Sequence, residues 1–313
     1  KGWEISVSGV PVKVKNFEWK TIFNWSKNNS MVESLPEGID KIQIGSGVYN
    51  VKSYAEVGKP YGAIYAKTFK RDAEGYILCQ LDGSPKEGQD YEYLGCVQAD
   101  WRGGWNNVFR LGNFSFSVMF DFQKGGKFFS QTSIQSSVDG QSVKSLEGRD
   151  ADFFSRKILG ESDEERYGFM RPQNANTPTA NGQIYPDWGR PKGVVLPNCR
   201  YDEDVEGLAG QQVLGYCTPE RYWMHYTSRD ISRFIYDASY VKLREITVSY
   251  DLPKKWLRKT PFQTFRVAAV GRNIATLFAN TPHGLDPQAT STTGNAQGFE
   301  RGFNLPSATY GFD

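Results

Sequence analysis

Residues 113–123, NFSFSVMFDFQ, decide how the rest of this chain is read. In an extended chain Phe114, Phe116, Val118, Phe120 and Phe122 fall on one side, and Ser115, Ser117, Asp121 and Gln123 on the other. That period of two is the signature of a β-strand with one wet and one dry face. Four phenylalanines and a valine on one side are too apolar to leave in water, so they must meet either a second sheet or lipid.

Working outward, the same alternation recurs. Trp3, Ile5 and Val7 alternate with Glu4, Ser6 and Ser8, and Phe17, Trp19, Thr21, Phe23 and Trp25 alternate with Glu18, Lys20, Asn24 and Ser26. Trp105, Asn107, Phe109 and Leu111 lead into the opening stretch through Gly112 and Asn113, a pair that tolerates the positive φ of a tight hairpin. Phe265, Val267 and Ala269 alternate again, while YVKLREITVSY (240–250) changes phase at Arg244 and Glu245, which predicts a β-bulge there. Weaker candidates are YGAIYAKTF (61–69), YILCQL (76–81) and the terminal SATYGFD. Nine antiparallel strands are expected, centred near residues 6, 21, 65, 78, 107, 118, 245, 269 and 310, and the fold class is all-β.

Composition agrees. The 313 residues are 14% aromatic and contain 32 glycines, which suits strands and turns better than helices. No window approaches the roughly 18 apolar residues of a membrane-spanning helix. Lys plus Arg (37) nearly cancels Asp plus Glu (35), and no basic run is interleaved with aromatics, so nucleic acid is not an expected partner. Alternation alone does not separate a soluble sandwich from a membrane barrel. Connection lengths do, because links between the expected strands alternate short and long along the chain. In an up-and-down sheet this puts all short links on one rim and all long links on the other, as in outer-membrane barrels. A link of more than a hundred residues, after residue 124, suits a barrel whose loops build a surface better than a compact soluble domain.

Several stretches then resemble a known family: GWEISVSGVPVKVKNFEWKTIFNWSKNNSMVESL, VGKPYGAIYAKTFKRDAEG, YLGCVQADWRGGWNNVFRLGNFSFSVMFDFQKGGKFFS, SLEGRDADFF, IYDASYVKLREITVSYDLPKKWL and FRVAAVGRNIATLFANTPHGLDPQ. Together they are similar to the C-terminal barrel portion of SusC/RagA TonB-dependent outer-membrane transporters of Bacteroidota. The resemblance implies a wall segment of a plugged, 22-stranded type of barrel with long extracellular loops, importing a glycan or a peptide. It also implies a SusD-like surface lipoprotein as lid, a plug and further strands upstream, TonB contact through that upstream part, and membrane lipid around the wall. The chain is accordingly expected to be a fragment, with further polypeptide paired along both of its edge strands. The alternatives are a secreted carbohydrate-binding β-sandwich and a surface adhesin.

Chemistry-bearing residues are few. His225 and His283 lack a second ligand at metal spacing and there is no nucleophile elbow, so no enzyme activity, catalytic residue or metal centre is expected. RDAEG (71–75) and LDGSPKEGQD (81–90) lack the EF-hand ligand series and read as turns, with calcium as the alternative and no other cofactor. Trp101, Trp188, Tyr222 and Trp223 fall in long links, where they could stack on a solute or pack within the loop. Glu18, Lys20, Asn24, Asp121, Arg266 and Arg272 sit on the wet side of their strands and would line a lumen. Cys79 and Cys96 bracket one link and Cys199 and Cys217 another. An even count outside the cytosol predicts disulfides paired with the nearest neighbour, with buried thiols as the alternative.

Overall fold

The computed structural model describes residues 1–146, 194–217, 219–282, 284–288, 297–302 and 307–312. Its main element is a seven-stranded sheet of β1 (Gly2–Val14), β2 (Phe17–Asn28), β3 (Trp101–Leu111), β4 (Phe114–Lys124), β5 (Tyr240–Asp251), β6 (Arg266–Ala279) and β7 (Thr309–Phe312). Each strand pairs antiparallel with the next in sequence, so the sheet is a meander with β1 and β7 at its edges.

Antiparallel pairing puts directly opposed residues on one face, so the register settles which side chains travel together. One lateral row runs Val7, Phe23, Trp105, Phe120 and Leu243, and another runs Val14, Phe17, Leu111, Phe114, Tyr250 and Val267. Rings on neighbouring strands stack along this face, with centroids 5.9 Å apart for Trp19 and Phe109, 6.1 Å for Phe109 and Phe116, and 5.9 Å for Trp105 and Phe120. The opposite face carries rows such as Ser6, Asn24, Gly104 and Asp121. Polar atoms caught on the apolar face are satisfied within it. Trp19 Nε1 donates to Asn107 Oδ1 at 3.0 Å, and Trp105 Nε1 donates to Thr21 Oγ1 at 2.9 Å.

The expected bulge is present, since the register of β5 slips between Leu243 and Glu245 against both β4 and β6. The short links at Lys15–Asn16, Gly112–Asn113 and 252–265 share one rim. The Gly112 amide donates to Asn16 O (2.8 Å), and the Asp251 amide donates to Asn113 O (2.9 Å). Gly112 takes the left-handed φ of 57° that the turn requires, and Asn113 does not.

The expected strands near residues 65 and 78 are not in this sheet. Ala63–Ala66 is the third strand of a four-stranded sheet with Lys41–Ser46, Lys52–Glu56 and Glu92–Cys96, and Ile77–Cys79 joins Val194–Tyr201 and Gln212–Cys217. Both are buried along their whole length, which explains why they read as apolar without alternating. Four and three residues are also too short to cross a bilayer's hydrocarbon. Because a pair of strands was misassigned, the parity of the remaining links survived: long links still join β2 to β3, β4 to β5 and β6 to β7.

These links form layers of their own at the other rim. One core gathers Phe69, Ile77, Cys79, Val194, Cys199, Tyr201, Val213, Cys217, Tyr222, Trp223 and Tyr226. A second gathers Val51, Ile64, Phe129, Ile134, Ile231, Phe234 and Phe299, beneath a three-stranded sheet to which Lys127–Ser130, Ile235–Asp237 and Phe299–Glu300 each contribute a strand. The helix Gln131–Val138 is capped by Ser130 Oγ, which accepts from the Ser133 amide. Buried Glu300 clamps the same end, accepting from Ser130 Oγ at 2.6 Å and Thr132 Oγ1 at 2.6 Å, and so ties the third long link to the second.

Candidate functional site

The polar face of the sheet is concave near the long-link rim. A cavity of ≈ 570 Å³ is lined there by Glu4, Ser6, Asn24, Ser26, Arg102, Gly104 and Asp121 together with the adjoining Ile5, Trp25 and Gly103. The local chemistry follows from alternation: each of β1 to β4 presents every second residue here, and those residues are short hydroxyls, amides and charges. Ser6 Oγ donates to Asn24 Oδ1 (2.8 Å), and Arg102 Nε donates to Gln123 Oε1 (2.9 Å). Gly104 leaves a gap in the row between Asn24 and Asp121. A second cavity of ≈ 400 Å³ shares Arg102 and Asp121 and adds Gln123, Lys127, Tyr240 and Gln288. A surface rich in both donors and acceptors can replace the water around a hydrophilic solute.

A charged network borders the two cavities. Arg244, beside the β5 bulge, pairs with Asp121 and donates to Asn273 Oδ1 (2.6 Å) and Gln288 Oε1 (2.7 Å). Lys242 donates to both Asp286 oxygens at 2.6 Å and to Gln288 Oε1 at 2.9 Å. The Lys242 side chain is only 6% exposed, so its charge is compensated inside the fold rather than by water. These bonds hold residues 285–288 of the third long link against the wall. Sequence reading missed this cluster, because Asp286 lies 44 positions from Lys242 and in no periodic element.

The residues read as wet lie on the polar face. Glu18 pairs with Lys13 (3.1 Å), Arg266 with Asp251 (2.7 Å) and Arg272 with Glu245 (3.0 Å). Lys20 lies on that face opposite Val108. Asn24 and Asp121 line the first cavity; the other four do not.

The aromatic candidates fare differently. Trp101 opens β3 and packs edge-on against Phe122 (5.9 Å). Tyr222 and Trp223 are each 1% exposed and stack edge-to-face on one another, so they are core of the loop layer and present no ring face to a solute. Trp188 and His283 lie outside the described residues. His225 is exposed in the helical turn Tyr222–Tyr226. Among the described residues no cluster of three metal-ligating side chains occurs. The acidic stretches read as turns hold turns in the structure: Asp72 accepts from the Glu74 and Tyr76 amides and pairs with Arg200 (3.0 Å), and Asp82 pairs with Arg221 (2.8 Å).

Neighbouring cysteines do not pair. Cys96 belongs to a different sheet from Cys79, and Cys199 and Cys217 stand opposite Val213 and Val194, at different points of one hairpin. The sequence spacing predicted the partners from chain proximity, whereas the sheets separate them.

The electrostatics of the loop layer centre on Asp202, whose side chain is 4% exposed. Burial opposes its ionisation, but hydrogen bonds from Lys86 and Lys70 and from the Glu203 amide outweigh it and hold the pKa at about 2.

No family model matches the chain. It is 23% identical over 332 aligned residues to TonB-dependent receptor P3 of Formosa agariphila, an alignment covering 99% of this chain and 27% of the relative. Among solved structures it resembles the RagAB peptide importer in its open-open state (15% identity, TM-score 0.51) and in its closed-closed state (14% identity, TM-score 0.54). Each of those matches covers 99% of this chain and 28% of the other, so the chain spans little more than a quarter of the proteins it matches. In sequence the chain is similar to a TonB-dependent receptor, and in fold it is similar to the RagAB peptide importer.

Proposed function

We propose that this chain forms part of the wall of an outer-membrane barrel that imports a hydrophilic solute, a glycan or a peptide, with energy supplied through TonB. The observation that carries the reading is the two-faced meander. Seven consecutive antiparallel strands keep one apolar face, and every short link lies on one rim. That apolar face is not covered by a second layer: Trp3 is 72% exposed, Phe114 57% and Phe312 86%. A soluble sandwich would bury such a face against another sheet, whereas hydrocarbon covers it in a barrel. The polar face, with Glu18, Lys20, Asn24, Asp121, Arg266 and Arg272, then lines the lumen, and the two cavities beside Arg102 and Asp121 are the solute's first contacts inside the rim. The long links face the exterior, under a SusD-like lipoprotein lid. Further strands pair with the open edges of β1 and β7, since unpaired backbone groups in hydrocarbon cost several kcal/mol each, and a plug fills the barrel they complete.

Tag accessibility on intact cells tests the orientation. A tag in the 196–217 hairpin should be labelled from outside, and one at Lys15–Asn16 only after the outer membrane is opened. The reverse pattern would overturn the reading, and so would recovery of the protein in the soluble fraction without detergent. Uptake that persists without TonB would remove the energy source from it.

A further inference from the structure

Three cysteines sit in the core of the loop layer, Cys79 and Cys199 with no exposed surface and Cys217 at 3%. The strand Ile77–Cys79 runs parallel to Val194–Tyr201, with Cys199 opposite Ile77 and Tyr201 opposite Cys79. Cys79 and Cys199 therefore share one face of that sheet, a diagonal step apart. The hairpin register slips between Leu196 and Cys199, where Asn198 takes a left-handed φ of 59°, so Cys199 does not stand in flat register with its neighbours.

Gly215, on the strand Gln212–Cys217, reports where the sulfurs go. A Cβ at that position would stand 2.5 Å from Cys199 Sγ and 3.2 Å from Cys79 Sγ. The two sulfurs thus converge over a residue whose missing side chain makes the room for them. Gly215 has an ordinary backbone conformation, so space rather than φ calls for glycine here.

We propose that Cys79 and Cys199 join as a disulfide that ties the first long link, after β2, to the second, after β4. Two S–H bonds break and one S–S bond forms. The two electrons and two protons pass to an oxidised dithiol–disulfide exchange protein of the periplasm, whose own disulfide becomes two thiols. Hydrogen bonding to Cys199 and burial push the Cys79 thiol well up, so the reactive thiolate is scarce once the core has closed. Oxidation therefore belongs to assembly, before the hairpin of residues 194–217 docks. Cys217, whose thiol burial also raises, and Cys96, whose Sγ lies 3.3 Å from Tyr61 O, remain reduced.

The oxidising setting rests on the outer-membrane reading; the pairing rests on the sulfur geometry. The intact protein, extracted from cells, is treated with a maleimide under denaturing conditions, digested with trypsin without reductant and mapped by mass spectrometry. The four cysteines fall in four tryptic peptides: 72–86, 87–102, 193–200 and 201–221. The expected result is 72–86 linked to 193–200, with the other two labelled. Labelling of all four, or any other linked pair, overturns the proposal when the protein is recovered from the outer membrane. Recovery from the cytosol would instead overturn the location. The pairing is then decided by oxidative refolding of the same protein with a glutathione couple, scored by the same map.

Discussion

Replacing Val118 with arginine tests the apolar face where it has least excuse to tolerate charge. Val118 lies near the middle of the 11-residue strand β4, with Asn107 and Ile246 directly beside it on β3 and β5. Eleven residues at about 3.3 Å each, tilted by about 40°, rise roughly 28 Å, slightly more than the roughly 25 Å apolar band of an outer-membrane barrel. The substituted side chain would then enter hydrocarbon near the midplane, at a cost of roughly 2–4 kcal/mol. Ser117→Arg is the control. It is one residue away, on the polar face, between Val108 and Thr247, and should cost within about 0.5 kcal/mol because water reaches that side. The assay is urea-dependent folding of the intact protein into lipid vesicles, read by the mobility shift on folding. Equal costs for the two substitutions, or a Val118→Arg cost under about 1 kcal/mol, would refute the assignment of this face to lipid.

Lys242→Met should leave Asp286 without its main cationic partner and destabilise the attachment of residues 285–288 by about 3–5 kcal/mol, with Asp286→Asn in the same chain restoring much of it. Hydrogen exchange of that segment is the readout. Trp19→Phe removes the donor to the buried Asn107 carboxamide and should cost about 1–3 kcal/mol in the same folding assay. Gly215→Ala forces a methyl group against Cys199 Sγ and should cost about 1–3 kcal/mol, seen as faster proteolysis of the 194–217 hairpin. Asp202, ordinarily near 3.8 and held at about 2 in the fold, stabilises the loop layer by about 2 kcal/mol above pH 4. Since the folded value is the lower one, that contribution fades as pH falls from about 4 through 2. Exchange protection of residues 77–86 and 199–213 should fall over that window in the native protein and fall by less in Asp202→Asn, where the lowered carboxylates of Asp72 and Asp82 still titrate.

Alternation in single strands made the wall legible without any structure. Phe114 to Phe122, Phe17 to Trp25 and the phase change at Arg244 each specify a strand, its two faces or its bulge from local sequence alone. The reason is that a pleated chain sends successive side chains to opposite sides whatever its partner is. The alternation of short and long links then fixed the rim order, a property of chain length that survived the misplacing of two strands. Segments buried on both faces carry no such signal, so Ala63–Ala66 and Ile77–Cys79 passed for wall strands when they belong to the loop layer. Only the tertiary structure decided which distant residues meet. The Lys242–Asp286 pair, the Glu300 clamp on Ser130 and Thr132, and the convergence of Cys79 and Cys199 over Gly215 all join residues dozens to more than a hundred positions apart. Tyr222 and Trp223 likewise looked available to a solute until packing enclosed them. Periodicity reports a residue's side of its own strand, and only the packing of separate links onto one another reports its neighbours.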